Sequence, residues 1–79
     1  MKVPRDVNAS DLINLLIRYG YNVTKQTGSH IKLSKQLDDG VHNITIPNHT
    51  PIKIGTLQAI VKDVCQKNGL RIDDIYLQL

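Results

Sequence analysis

Thr27-Gly28-Ser29-His30-Ile31-Lys32-Leu33 is the stretch whose reading decides the fold, a tight turn that ends in a histidine and at once becomes a strand. Alternate side chains of a strand face opposite ways, so Ile31 and Leu33 share one face while His30, Lys32 and Ser34 share the other. The aliphatic pair claims the core. An imidazole and an ammonium are left on a solvated sheet face, beside a glycine turn with free backbone N–H groups, and such a surface suits an anionic ligand.

Working outward, Tyr21 to Gln26 alternates and is rich in β-formers, which predicts a strand with Tyr21 and Val23 inward, joined to the next by Thr27-Gly28-Ser29. After His30 to Ser34 comes a polar stretch, Lys35 to Gly40, read as a loop holding the hairpin signal Asp39-Gly40. A third strand follows over Val41 to Ile46, with Ile44 and Ile46 inward and Asn43 and Thr45 outward, closed by Pro47.

Helical spacing flanks this meander. Leu12, Leu15, Leu16 and Tyr19 form an apolar stripe over Ala9 to Tyr19, with Asn8 and Asp11 at its start and Gly20 as its stop. Ile54, Leu57, Ile60, Val61 and Val64 form a second stripe that ends at Asn68-Gly69. Val3 to Val7 reads as an extended lead-in, and Leu70 to Leu79 as a short turn with apolar residues that cover the core edge or dock a partner. The expected fold is α+β, an α-β-β-β-α order in which both helices lie on one face of a three-stranded antiparallel sheet and the other face stays wet.

A chain of 79 residues is expected to be a single domain over 1–79, burying only about 60% of its unfolded surface. A large enclosed cavity is excluded, so chemistry belongs on an open face. Hydrophobic residues at 41% and charged residues at 22% exclude a disordered chain. Residues 1–35 carry six basic side chains against two acidic ones, whereas residues 36–79 carry four against five, so the positive charge belongs to the half with His30. Such a footprint suits nucleic acid, and it also suits plain solubility. With Cys65 the only cysteine, an intrachain disulfide and a Cys-based zinc site are both excluded. No apolar run approaches a membrane span, and Met-Lys-Val-Pro-Arg opens no signal peptide, so the expected compartment is the cytoplasm.

The candidate residues each have a functional and a bland account. His30 suits proton transfer, since an ordinary imidazole titrates at about 6.5; otherwise it is a surface strand histidine. As a metal ligand it lacks company, because His42 and His49 bring no carboxylate or cysteine at ligand spacing. Gly28 supplies a positive φ to the turn and lets a phosphate approach the Ser29 N–H. Ser29 Oγ can orient a phosphate oxygen, and Lys25 and Lys32 are phosphate contacts or solvated strand charges. Lys53, Gly55 and Thr56 open the second helix, where unpaired N–H groups accept anions or simply start the helix. Cys65 reads as a small core residue.

Four motifs in order carry a resemblance. Gly20-Tyr21 after the first helix, Gly28-Ser29-His30 between two strands, Ile44-Thr45-Ile46-Pro47-Asn48-His49, and Lys53-Ile54-Gly55-Thr56-Leu57 together make the chain resemble the HicA toxins from Val3 to about Leu70. These are mRNA interferases of type II toxin–antitoxin systems. The resemblance implies a double-stranded-RNA-binding-like fold, metal-independent cleavage of mRNA without a cofactor, a catalytic histidine falling on His30, and a HicB-like antitoxin that covers the active face. Tyr21 stands where phenylalanine is common in the family.

The expected function is therefore an endoribonuclease toxin in which His30 moves the proton and Gly28, Ser29, Lys25, Lys32 and Lys53 hold RNA. The alternative is an RNA-binding module that never cleaves. A module gripping a duplex needs a lysine-dense opening of the second helix, and only Lys53 and Lys62 stand there. A third reading is a pure interaction domain that uses the sheet edge.

Overall fold

A computed structural model describes residues 3–79. Lys2, counted above with the basic half, and the leader reading of the first residues lie in part outside the described residues. The order is α1 (Ala9–Arg18), β1 (Asn22–Thr27), β2 (His30–Leu37), β3 (Gly40–Pro47), α2 (Ile54–Asn68) and α3 (Ile72–Tyr76). The three strands form one antiparallel sheet in the order β1-β2-β3. This is the expected α+β arrangement, extended by the short α3.

Helix α1 forms where its apolar stripe and its start signal coincide. The Asn8 N–H donates to Asp11 Oδ2 at 3.0 Å, which satisfies one free donor and places a carboxylate at the positive end of the helix. Leu12, Leu15 and Leu16 are buried beneath it, and Tyr19 is its C-cap rather than its last turn. Helix α2 buries Leu57, Ile60, Val61, Val64 and Cys65, while Ile54 at its start stays exposed. Ile31, Leu33, Ile44 and Ile46 meet both stripes from the sheet, and Tyr21, Ile75 and Tyr76 complete the same core. The terminal apolar residues thus divide, Ile75 and Tyr76 packing inward and Leu77 remaining 72% exposed.

The sheet departs from the expectation in three places. Strand β2 runs through Lys35 and Gln36 to Leu37, and Leu37 pairs with Gly40 across a two-residue connection, Asp38-Asp39. The polar sequence looked like a loop because Lys35 faces inward for a polar purpose, bonding Asn68 of α2. Val23, opposite Leu33 and so on the inner side, is nevertheless 45% exposed. Helices α1 and α2 meet the sheet at β3, and β1 is an edge strand whose six residues are all exposed.

Strand β1 also carries a β-bulge. Val23 pairs with Leu33 but Lys25 pairs with Lys32, which leaves Thr24 as the extra residue, its Oγ1 donating to the Lys32 carbonyl at 3.3 Å. Unbroken alternation from Val23 would carry Lys25 to the inner face. The bulge turns it outward instead, a re-aiming for which bulges are used beside functional sites.

Candidate functional site

The face of the sheet away from the helices carries His30, Lys32 and Ser34 from β2, with Lys25, Thr27 and Asn22 opposite them on β1 and Pro47, Thr45 and Asn43 opposite them on β3. The β1–β2 turn sets its upper end. Thr27 pairs with His30, so Gly28-Ser29 is a two-residue hairpin loop, and Gly28 has φ 50 as the first central position of such a turn demands. A Cβ at Gly28 would meet no atom within 4 Å, so the backbone there is open to an incoming group.

His30 is exposed, and Ser29 Oγ lies 3.4 Å from its Nδ1, a long and weak contact. Nε2 has no hydrogen-bond partner among the described residues. Lys32 is two residues along the same strand face, and the Thr24 bulge places Lys25 directly across from it. Like charges facing each other across a strand pair are unfavourable, so the Lys25–Lys32 pairing comes at some cost to the fold. The site residues Gly28, Ser29, His30, Lys25 and Lys32 are thus brought together. Lys53 lies outside the sheet: it is the N-cap of α2, and Gly55 and Thr56 follow in the first turn.

His42 is a different kind of histidine. It lies on the inner face opposite Lys35, 7% exposed, with its Nδ1 2.6 Å from Tyr21 Oη and its Nε2 3.0 Å from Asp63 Oδ2. The chain of donors assigns its protons. Lys35 Nζ only donates, so Asn68 Oδ1 faces it; Asn68 Nδ2 then donates to Tyr21 Oη at 2.9 Å and to the Val64 carbonyl at 2.8 Å. Tyr21 Oη, already an acceptor, gives its own proton to His42 Nδ1, which leaves Nε2–H to donate to Asp63. The Lys35 ammonium also stands 5.7 Å from the centre of the Tyr21 ring, and its stem passes over Gly20, where a Cβ would come within 3.2 Å of Lys35 Cε. Burial pushes the Tyr21 hydroxyl above its usual range, a rise moderated by the Asn68 bond and reinforced by the Asp63 charge.

Sequence reading weighed His42 only as a metal ligand and missed this network. The signal was available in its parity with Ile44 and Ile46. His30 and His42 sit on opposite faces and five residues apart in register, about 16 Å along β2, so they cannot share one cation. Among the described residues no cluster of three or more His, Cys, Asp or Glu side chains is placed to hold a metal ion, and no helix is long and apolar enough to cross a membrane. Cys65 is buried, as expected of a core residue, and burial together with the Asp74 charge raises its thiol.

A family model described as the HicA toxin of bacterial toxin–antitoxin matches residues 9–64, from the first residue of α1 to the last apolar turns of α2. The chain belongs to the HicA toxin family. It is the toxin of a toxin–antitoxin system, and membership implies an antitoxin partner. The match contains the β1–β2 turn, the bulge and the whole wet face, whereas α3 lies beyond it. No curated protein and no solved structure gives a significant match.

Proposed function

We propose that this HicA-family toxin is an endoribonuclease that cleaves mRNA without a metal ion or other cofactor, with His30 as the proton-transfer residue. The observation that carries the reading is the placement of Lys25 beside Lys32 by the Thr24 bulge, on the open face that also presents His30. Two ammoniums set against each other gain from an anion between them, and a phosphodiester is the anion whose cleavage an adjacent imidazole assists.

In this mechanism Nδ1–H of His30 leans on Ser29 Oγ and Nε2 accepts the proton of a ribose 2′-hydroxyl. The 2′-oxygen attacks the adjacent phosphorus, the bond from phosphorus to the 5′-oxygen breaks, and that oxygen leaves with a proton taken up from its surroundings. A 2′,3′-cyclic phosphate remains. Lys25 and Lys32 hold the phosphate oxygens as charge builds, and Gly28 with the Ser29 N–H lets the backbone approach them. Lys53 binds RNA further along its path. The toxin works in the cytoplasm as a single domain over residues 1–79, and a HicB-like antitoxin restrains it by laying an acidic surface over His30 and Lys32.

The test compares wild type and His30→Ala on a single-stranded mRNA fragment, in chelator, with circular dichroism to confirm folding. Cleavage by wild type to cyclic-phosphate ends, absent in the folded variant, is expected. Folded His30→Ala protein that cuts as well as wild type overturns the assignment, and binding without cleavage by wild type would establish the RNA-binding module in its place.

A further inference from the structure

The register sorts the wet face into three cross-strand rows. Thr27, His30 and Pro47 form the first; Lys25, Lys32 and Thr45 the second; Asn22, Ser34 and Asn43 the third. Successive rows lie two residues apart on β2, about 7 Å, a step comparable with one nucleotide of an extended strand. The chemistry changes with the rows, from an imidazole to a pair of cations to three uncharged side chains.

The third row has no structural explanation. Asn22 and Asn43 are exposed, and none of the three side chains hydrogen-bonds another described residue. Asparagine is disfavoured in strands, so two of them flanking Ser34 cost β-propensity with no packing or bonding in return. Contacts to phosphates carry no sequence information, so lysines engaged with the backbone do not read bases, whereas amides and hydroxyls with free donors and acceptors read base edges. The third row itself has no ring to stack a base on. Tyr21 and Tyr76 are buried in the core and Tyr19 caps α1, which leaves the His30 imidazole, two rows away, as the one aromatic ring on the face among the described residues. Discrimination in this row therefore falls to hydrogen bonding, and the two amides, about 10 Å apart across the central strand, leave room for one base between them.

We propose that Asn22, Ser34 and Asn43 are the base-reading row of the toxin, giving it a nucleotide preference close to the bond it cuts. This rests on the reading of the His30 face as an RNA-cleaving surface, and the experiment separates the two. Wild type and the Asn22→Ala/Asn43→Ala double variant cut a randomised single-stranded RNA pool, and the new ends are sequenced. A preferred base near the cut is expected in wild type, and its preference should fall about tenfold in the folded double variant. In parallel, His30→Ala protein with and without the two asparagine changes selects bound RNA from the same pool, a readout that needs no cleavage. Enrichment of a base by His30→Ala that disappears in the triple variant supports the row even if wild type cuts nothing, in which case the nuclease reading alone fails. Selection without base preference, or a preference that survives loss of both amides, overturns the proposal.

Discussion

Two histidines on one sheet show how far environment decides what a residue type can do. His30 stands at the open end of β2 with no partner for Nε2 among the described residues, one weak hydroxyl contact and two lysines in the neighbouring row. His42 lies on the opposite face, both nitrogens committed to Tyr21 and Asp63. A committed imidazole cannot give or take a substrate proton without breaking the packing between β3 and α2. An uncommitted one holds nothing together and is free for chemistry. On the proposed mechanism the pair separates function from stability along a single 79-residue chain, and substitutions at the two positions should fail in opposite ways.

The largest expected effect is on activity. His30→Ala should lower RNA cleavage by roughly 10²–10⁴-fold, the range for loss of a proton-transfer group, while the unfolding free energy moves by no more than about 0.5 kcal/mol, as for other exposed positions. Single-turnover cleavage rates and urea unfolding on the same preparation measure both. A large loss of stability would erase the contrast between the two sites.

His42→Ala should do the reverse. It leaves the buried Tyr21 hydroxyl and one side of Asp63 without their partner and opens a small cavity, together costing about 2–3 kcal/mol. For a domain of this size that corresponds to a fall in Tm on the order of 10–20 °C. Cleavage per folded molecule at a temperature below the transition should be kept. Asp63, half exposed at its side chain, contributes far less, so Asp63→Asn should cost under about 1 kcal/mol. A thermal melt of each variant ranks them, and equal losses would mean that the network is not centred on His42.

Alkaline pH probes the same buried region. Tyr21, Cys65 and Tyr76 all titrate above their ordinary values of 10.0, 9.0 and 10.0, each chiefly because burial penalises the charged form. These are acids whose neutral forms the fold prefers. Their contribution is complete below the unfolded-state values and is lost as pH rises through the folded-state ones, so stability should be level in these groups through neutrality and fall from about pH 9 upward. Tyr21→Phe should cost about 1–2 kcal/mol at pH 7, by stranding His42 Nδ1 and an Asn68 N–H, yet soften the alkaline decline. Urea midpoints from pH 7 to 11 test this, and a decline as steep in the variant would take Tyr21 out of the account.

Legibility in the sequence follows the same division. Positions that alternate or repeat with a regular period were readable, which is why Ile31, Leu33, Ile44 and Ile46 are buried and His30 and Lys32 are not. Two outcomes were not readable. Lys35 and Gln36 look like loop residues until Asn68 supplies Lys35 with a partner from 33 positions away. The Thr24 bulge leaves no mark in composition, since one skipped residue changes no residue type, yet it decides which face Lys25 occupies. His42 was legible by parity with Ile44 and Ile46, but only alongside Tyr21 and Asp63 does burying an imidazole become affordable.

The smallest effect should have opposite signs in two assays. Lys25 and Lys32 face each other across the β1–β2 pair, an arrangement that costs a few tenths of a kcal/mol in strand pairing. Removing one charge should relieve that repulsion, so Lys32→Ala is expected to raise the urea midpoint slightly. The same change removes a phosphate contact, and the slope of log affinity for RNA against log salt should fall by about one. Lys62→Ala, which takes a charge from the exposed side of α2 instead, should alter neither quantity in this way. Two lysines kept together against their mutual repulsion are expected to strengthen binding at the expense of stability. A Lys32→Ala protein that is less stable than wild type, with an unchanged salt slope, would show that the pair serves the fold and that the anion lies elsewhere.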